Sequence, residues 1–131
     1  MYRTRSIVSL LVIALVALAA MAPVASAKGT ERIIALKGSS AFPGANGKAK
    51  YKVGGGEREF QVEVEDVRRL AGKRVTVFAN GNRVGTALVN RFGDARLSRN
   101  TDLGQRVPTV VNGSRVAVRT ASGTLVVSGS C

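Results

Sequence analysis

The sequence predicts an all-β protein: a single antiparallel β-sandwich of about eight short strands that follows a cleaved N-terminal signal peptide. Three observations carry that expectation. Apolar and polar residues alternate with period two in segment after segment from Lys48 onward, the pattern of a strand with one buried face. Turn pairs such as Asn80-Gly81, Gly93-Asp94, Asn112-Gly113 and Ser122-Gly123 punctuate those segments. Nothing after residue 27 is amphipathic at helical period over the length a stable helix needs.

The N-terminus sets the compartment. Arg3 and Arg5 precede an apolar run from Ile7 to Val24, and Ala25-Ser26-Ala27 supplies the small residues a signal peptidase requires. Residues 1–27 are therefore expected to be a secretory signal peptide. Residues 28–131 are the β-sandwich domain, secreted to the periplasm or the exterior. The competing reading is an uncleaved anchor, because the apolar run approaches the ~20 residues that span a bilayer. Pro23 and the Ala-Ser-Ala site favour cleavage. On either reading the domain lies on the far side of the membrane, and it touches the membrane through this segment only if the segment is uncleaved.

Within the domain, Arg32 to Lys37 reads as the first strand. Lys48 to Val53 then sets three lysines against Ala49, Tyr51 and Val53, and Glu59 to Glu65 turns Phe60, Val62 and Val64 inward. The loop Gly54-Gly55-Gly56-Glu57 joins them as a hairpin. Its register pairs Val53 with Arg58, Lys52 with Glu59, Tyr51 with Phe60, Lys50 with Gln61, Ala49 with Val62 and Lys48 with Glu63. A one-residue slip would set lysines opposite apolar groups, so this register is well specified.

Asp66 to Gly72 fits one helical turn. Arg74 to Ala79 and Arg83 to Val89 flank Asn80-Gly81, the pair suited to a type I′ turn. A regular hairpin there sets Val77 opposite Val84 and Val75 opposite Thr86, with Phe78 beside Arg83. Ala95 to Arg99 is a further short strand, and residues 100–108 are polar and aperiodic. Asn112-Gly113-Ser114 fits a glycosylation sequon but reads first as the turn before the strand Arg115 to Arg119. The unbroken run Thr124-Leu125-Val126-Val127 predicts a strand buried on both faces.

The chain has 20 Lys and Arg against eight Asp and Glu. Removing residues 1–27 takes two arginines and no acid, leaving 104 residues with a formal net charge of +10. That is one domain, with a charge that draws it toward polyanions. The basic residues are scattered, and after residue 27 only Arg68-Arg69 and Lys73-Arg74 are adjacent. The lysine stripe of 48–52 is answered by Glu59 and Glu63, so it reads as a solvated hairpin face. The candidate anion- or ligand-binding residues are therefore Arg68, Arg69, Arg74, Phe78, Arg83, Arg91, Phe92, Arg96, Arg99 and Arg106. Phe78 with Arg83, and Phe92 with Arg91, supply the basic-aromatic pairing that a ligand site would use. Nucleic acid is disfavoured as the partner, because alternation points Tyr51 and Phe60 into the core.

Chemistry is thin. The chain lacks histidine, has one cysteine, and has no serine in a Gly-x-Ser-x-Gly elbow. The carboxylates of the Glu59–Glu65 strand lack the apolar burial that separates acid and base roles. No catalysis, metal or cofactor is expected. Cys131, unpaired and terminal, is a candidate for an intermolecular disulfide.

Several short pieces resemble small secreted bacterial proteins of unassigned function: Gly47-Lys48-Ala49-Lys50-Tyr51, Val62-Glu63-Val64-Glu65, Leu70-Ala71-Gly72, Val84-Gly85-Thr86, Asn100-Thr101, Gly104-Gln105-Arg106-Val107-Pro108 and Ser128-Gly129. The resemblance implies a compact β-sandwich of immunoglobulin-like or chordin-type repeat-like form and carries over no functional residue. The function expected is a non-catalytic binding module of the cell envelope or exterior, contacting an anionic polymer, surface or envelope protein. The alternative is a structural protein that assembles through a sheet edge, locked by Cys131.

Overall fold

The computed structural model describes residues 29–131. The signal-peptide reading of residues 1–27 lies outside the described residues. Eight strands form: β1 (Thr30–Gly38), β2 (Asn46–Gly54), β3 (Glu57–Glu65), β4 (Arg74–Ala79), β5 (Asn82–Leu88), β6 (Ala95–Asn100), β7 (Arg115–Thr120) and β8 (Leu125–Ser130). Two short 3₁₀ turns, Arg68–Leu70 and Thr101–Leu103, are the only helical pieces among the described residues. The first falls in the segment where the sequence predicts one turn.

All eight strands belong to one antiparallel sheet in the order β5-β4-β7-β8-β1-β2-β3-β6. The sheet curls until its edge strands β5 and β6 meet through side chains, which makes it nearly a barrel. No ladder joins those two edges. The core lies inside the curl, where Ile34, Leu36, Phe60, Val62, Val75, Val116 and Val118 are almost fully buried. Burial of Phe60 alone is worth roughly 1.5–3 kcal/mol.

The β2–β3 hairpin has the expected register in all six pairs. Alternation sends Ala49, Tyr51, Phe60, Val62 and Val64 into the core while the lysines and glutamates face outward together. At the β4–β5 turn, Asn80 and Gly81 both have positive φ (52° and 80°), as type I′ geometry demands. Phe78 pairs with Arg83 as expected.

Beyond that pair the expected register fails. Val77 faces Gly85 rather than Val84, and Val75 faces Ala87 rather than Thr86, because a β-bulge inserts Val84. The physical reason is closure. The bulge places Ala87 and Val89 in the core and leaves Leu88 55% exposed, so the inward side of β5 carries small groups where β6 approaches. A second bulge corrects the reading of β8. Val118 faces Val127 and Arg119 faces Leu125, so Val126 is the extra residue. The bulge brings Val126 and Val127, both 0% exposed, into the core together, without burial of the strand's two faces.

Because every neighbour is antiparallel, the connections sort to two ends. Segments 39–45, 66–73, 89–94 and 121–124 lie at one end. Turns 55–56 and 80–81, segment 101–114 and Cys131 lie at the other. The second end is tied by Ser114, the one buried polar residue among those described, whose Oγ accepts from Val111 N (2.9 Å) and Asn80 Nδ2 (3.3 Å).

Candidate functional site: a basic cleft at one end of the sheet

The first end is built by local turns that hold its loops against one another. Val67 N donates to Gly93 O (2.9 Å), and Gly72 N to Val89 O (2.8 Å), so segments 66–73 and 89–94 are tied to each other. Gly93 has φ +85°, and a Cβ there would overlap the backbone of Arg68. Only glycine permits that approach. Segment 39–45 is fixed from the other side, with Ser39 N donating to Val126 O (2.9 Å) and Ser39 Oγ to Leu125 O (2.6 Å).

Segments 39–45, 66–73 and 121–124, with the adjoining ends of β4 and β7, line a cleft of about 630 Å³. Its apolar surface comes from Ala41, Phe42, Leu70 and Ala121, and its cations are Arg69, Lys73 and Arg74. No carboxylate lines it. Arg69 is held in place: its guanidinium stacks over the Phe42 ring at 4.5 Å and donates to Ala41 O. Lys73 and Arg74 have no ion pair and no side-chain hydrogen bond among the described residues. Two of the three hydroxyls on the wall face each other. Thr120 Oγ1 lies 3.0 Å from Ser122 Oγ and accepts from Thr124 N at 3.1 Å. The free charge in the cleft is thus that of Lys73 and Arg74, beside a guanidinium fixed by its own contacts.

Six of the ten sequence candidates lie at this end: Arg68, Arg69, Arg74, Arg91, Phe92 and Arg96. Arg69 and Arg74 line the cleft. Arg68 lines a separate, neighbouring hollow with Phe42, Pro43 and Asp66. Arg91 lies over the ring of its neighbour Phe92 at 4.8 Å, on an exposed loop. Arg96 is paired with Glu63 (2.6 Å), which answers its charge.

Phe78, Arg83, Arg99 and Arg106 sit toward the opposite end, apart from the cleft. Phe78 is half-buried beside Arg83, and that pair makes no cation–π contact among the described residues. Cys131 has an exposed side chain, but its backbone is pinned, with Cys131 N donating to Ser114 O and Cys131 O accepting from Gly113 N. The sequence reading missed Phe42 and Lys73. The signal for Lys73 was present, since the only two basic doublets after residue 27 flank the same short turn.

At the same end of the sheet as Cys131, Asn100 Nδ2 donates to Glu57 Oε1 (2.7 Å), and the repulsion of Glu57 raises the pKa of Asp102. Among the described residues no group of three or more His, Cys, Asp or Glu could hold a metal ion, and no helix is long and apolar enough to cross a membrane. Fold and site together define an antiparallel, nearly closed β-sheet protein with a basic cleft at one end. No protein-family model matches the chain, and no curated protein matches its sequence.

Proposed function

We propose that this protein is an exported, non-catalytic binding module of the cell envelope or exterior that takes an anionic partner in the cleft of Arg69, Lys73 and Arg74. The observation that carries the reading is the charge of that cleft: three cations, no carboxylate, and two cations without a partner of their own. The partner is an anionic polymer or surface, drawn in by the net charge and docked where the cations converge. Export rests on the N-terminal pattern of residues 1–27. The finer fold reading is a sandwich-like sheet of two four-stranded halves. It is supported by the β1–β8 ladder, only two residue pairs long, against nine for β2–β3.

The test uses the protein recovered after export. Its elution from heparin and from a cation exchanger of similar charge density is compared across a salt gradient. The triple variant Arg69→Ser, Lys73→Ser, Arg74→Ser is run beside Arg83→Ser, Arg106→Ser, Arg115→Ser, which removes the same charge from the opposite end. The expected result is later elution of the wild type from heparin than from the exchanger, with that difference lost only in the first variant. Equal shifts in the two variants mean diffuse charge and overturn the reading.

Assembly through a sheet edge is the second reading, favoured by the unpaired edges of β5 and β6 and the exposed Cys131 thiol. It predicts a reducible dimer, insensitive to salt, in sedimentation velocity.

A further inference from the structure

We infer that the anion taken by the cleft is amphipathic: a phosphate or carboxylate head carried on a short apolar body. This rests on the anion-binding reading above and narrows it to a ligand class. The argument is the composition of the cleft wall. Lys73 and Arg74 offer unanswered charge at the rim, while Ala41, Phe42, Leu70 and Ala121 present hydrocarbon to the same space. A bare inorganic anion satisfies the cations and leaves that hydrocarbon facing water. A neutral apolar molecule does the reverse, and its burial would strip water from Lys73 and Arg74 without compensation. An anion with a hydrocarbon body satisfies both.

Two further features fit the same class. The cleft's volume of about 630 Å³ is within the ordinary range for small-molecule sites. The position of Arg69 is set before any ligand arrives, by its contacts with Phe42 and Ala41, which lowers the ordering cost of binding.

The test is calorimetric titration of the exported protein with inorganic phosphate, butyl phosphate, hexyl phosphate and hexanol. Hexyl phosphate is expected to bind at least tenfold more tightly than inorganic phosphate, a gain that about two fully buried methylenes supply. Hexanol is expected to give no saturable heat. Lys73→Ser with Arg74→Ser should abolish binding. Ala121→Asp, at an exposed loop position that leaves the core untouched, should weaken hexyl phosphate at least tenfold. Equal affinity for hexyl and inorganic phosphate overturns the amphipathic inference and leaves the anion site standing. Absence of binding by every phosphate, with the heparin difference intact in the wild type and lost in the first triple variant, overturns the inference and returns the cleft to a purely polymeric partner. Absence of both signals overturns the inference and the anion-binding reading together.

Discussion

The guanidinium of Arg99 on β6 lies over Gly85 on β5, where an added Cβ would overlap Nη2 and stand 3.3 Å from Leu97 Cδ1. This contact bridges the seam between the two strands that no ladder joins. Arg99 is half-buried and shares the inward side of β6 with Leu97, opposite Phe60 on β3. An inward-pointing charge on an edge strand discourages pairing with another chain's edge. The seam is therefore closed by side chains, and the bulge at Val84 is what turns Gly85 toward them.

Two glycines should respond differently to alanine. At Gly85 the overlapping atom is the far end of a flexible arginine, which can swing aside, so Gly85→Ala should cost less than about 1 kcal/mol. At Gly129 the added Cβ would overlap the Ala35 carbonyl and stand 3.0 Å from Ile34 Cγ2. There the backbone of β1 must move, and Gly129→Ala should cost about 2 kcal/mol or more. Denaturant melts of the two variants check this, and equal losses would sink the argument.

Ser114 holds the end of the sheet opposite the cleft. Ser114→Ala leaves Val111 N–H without its side-chain acceptor beside a residue only 3% exposed and takes one of two acceptors from Asn80 Nδ2, a loss of about 1–3 kcal/mol. Asn80→Gly keeps the left-handed turn and removes the side-chain bonds to Arg115 N, Ser114 Oγ and Thr109 O. It should cost about 1 kcal/mol. Urea unfolding midpoints at unchanged slope are the measurement.

Asp102 gives the chain a local dependence on pH. Glu57 beside it raises the Asp102 pKa, with smaller contributions from desolvation and a side-chain hydrogen bond to Glu57. The folded chain thus holds this proton more tightly than the unfolded chain does. That contribution is fully present below the ordinary aspartate range near pH ~3.9 and is lost as pH rises through the raised folded value. At neutral pH the two carboxylates repel. Asp102→Asn should therefore raise the melting temperature at pH 7, with an advantage that fades below about pH 4. Thermal scans from pH 3 to 8 decide it; an advantage independent of pH would assign the effect to something other than this repulsion.

Charge in the ion pair with Glu63 should not count toward anion binding. Arg96→Gln made together with Glu63→Gln removes both charges of the 2.6 Å pair and leaves the net charge unchanged, so heparin elution should barely move. Arg74→Gln removes an unanswered charge in the cleft and should shift elution to clearly lower salt. As an exposed pair, Arg96–Glu63 should also contribute no more than about 1 kcal/mol to stability. Parallel salt gradients separate the two variants, and identical shifts would show that the ion pair does not mask Arg96.

The β2–β3 hairpin was legible residue by residue, because a stripe of lysines, a stripe of glutamates and a common apolar face admit one register. The strand positions of β4 to β8 were legible too, since glycine and asparagine at the turns mark where the chain must reverse. The bulges at Val84 and Val126 were not. Each shifts a register to satisfy packing against strands distant in sequence, and alternation within one strand carries no trace of that partner. The candidate site was half legible. The doublets Arg68-Arg69 and Lys73-Arg74 stood out, but Phe42 joins them from a loop some thirty positions earlier, and Arg83, Arg99 and Arg106 look equivalent to them until the ends of the sheet are known.

The sequence by itself determined the class of structure and the sign of the charge. Period-two alternation and turn residues are local properties, and local sterics suffice to make strands from them. Only the tertiary structure decided that one continuous sheet curls until β5 meets β6, and which of the scattered cations converge. Convergence depends on strand order, and strand order is settled by how a sheet with two edges can bury a single core, a condition that no segment meets alone.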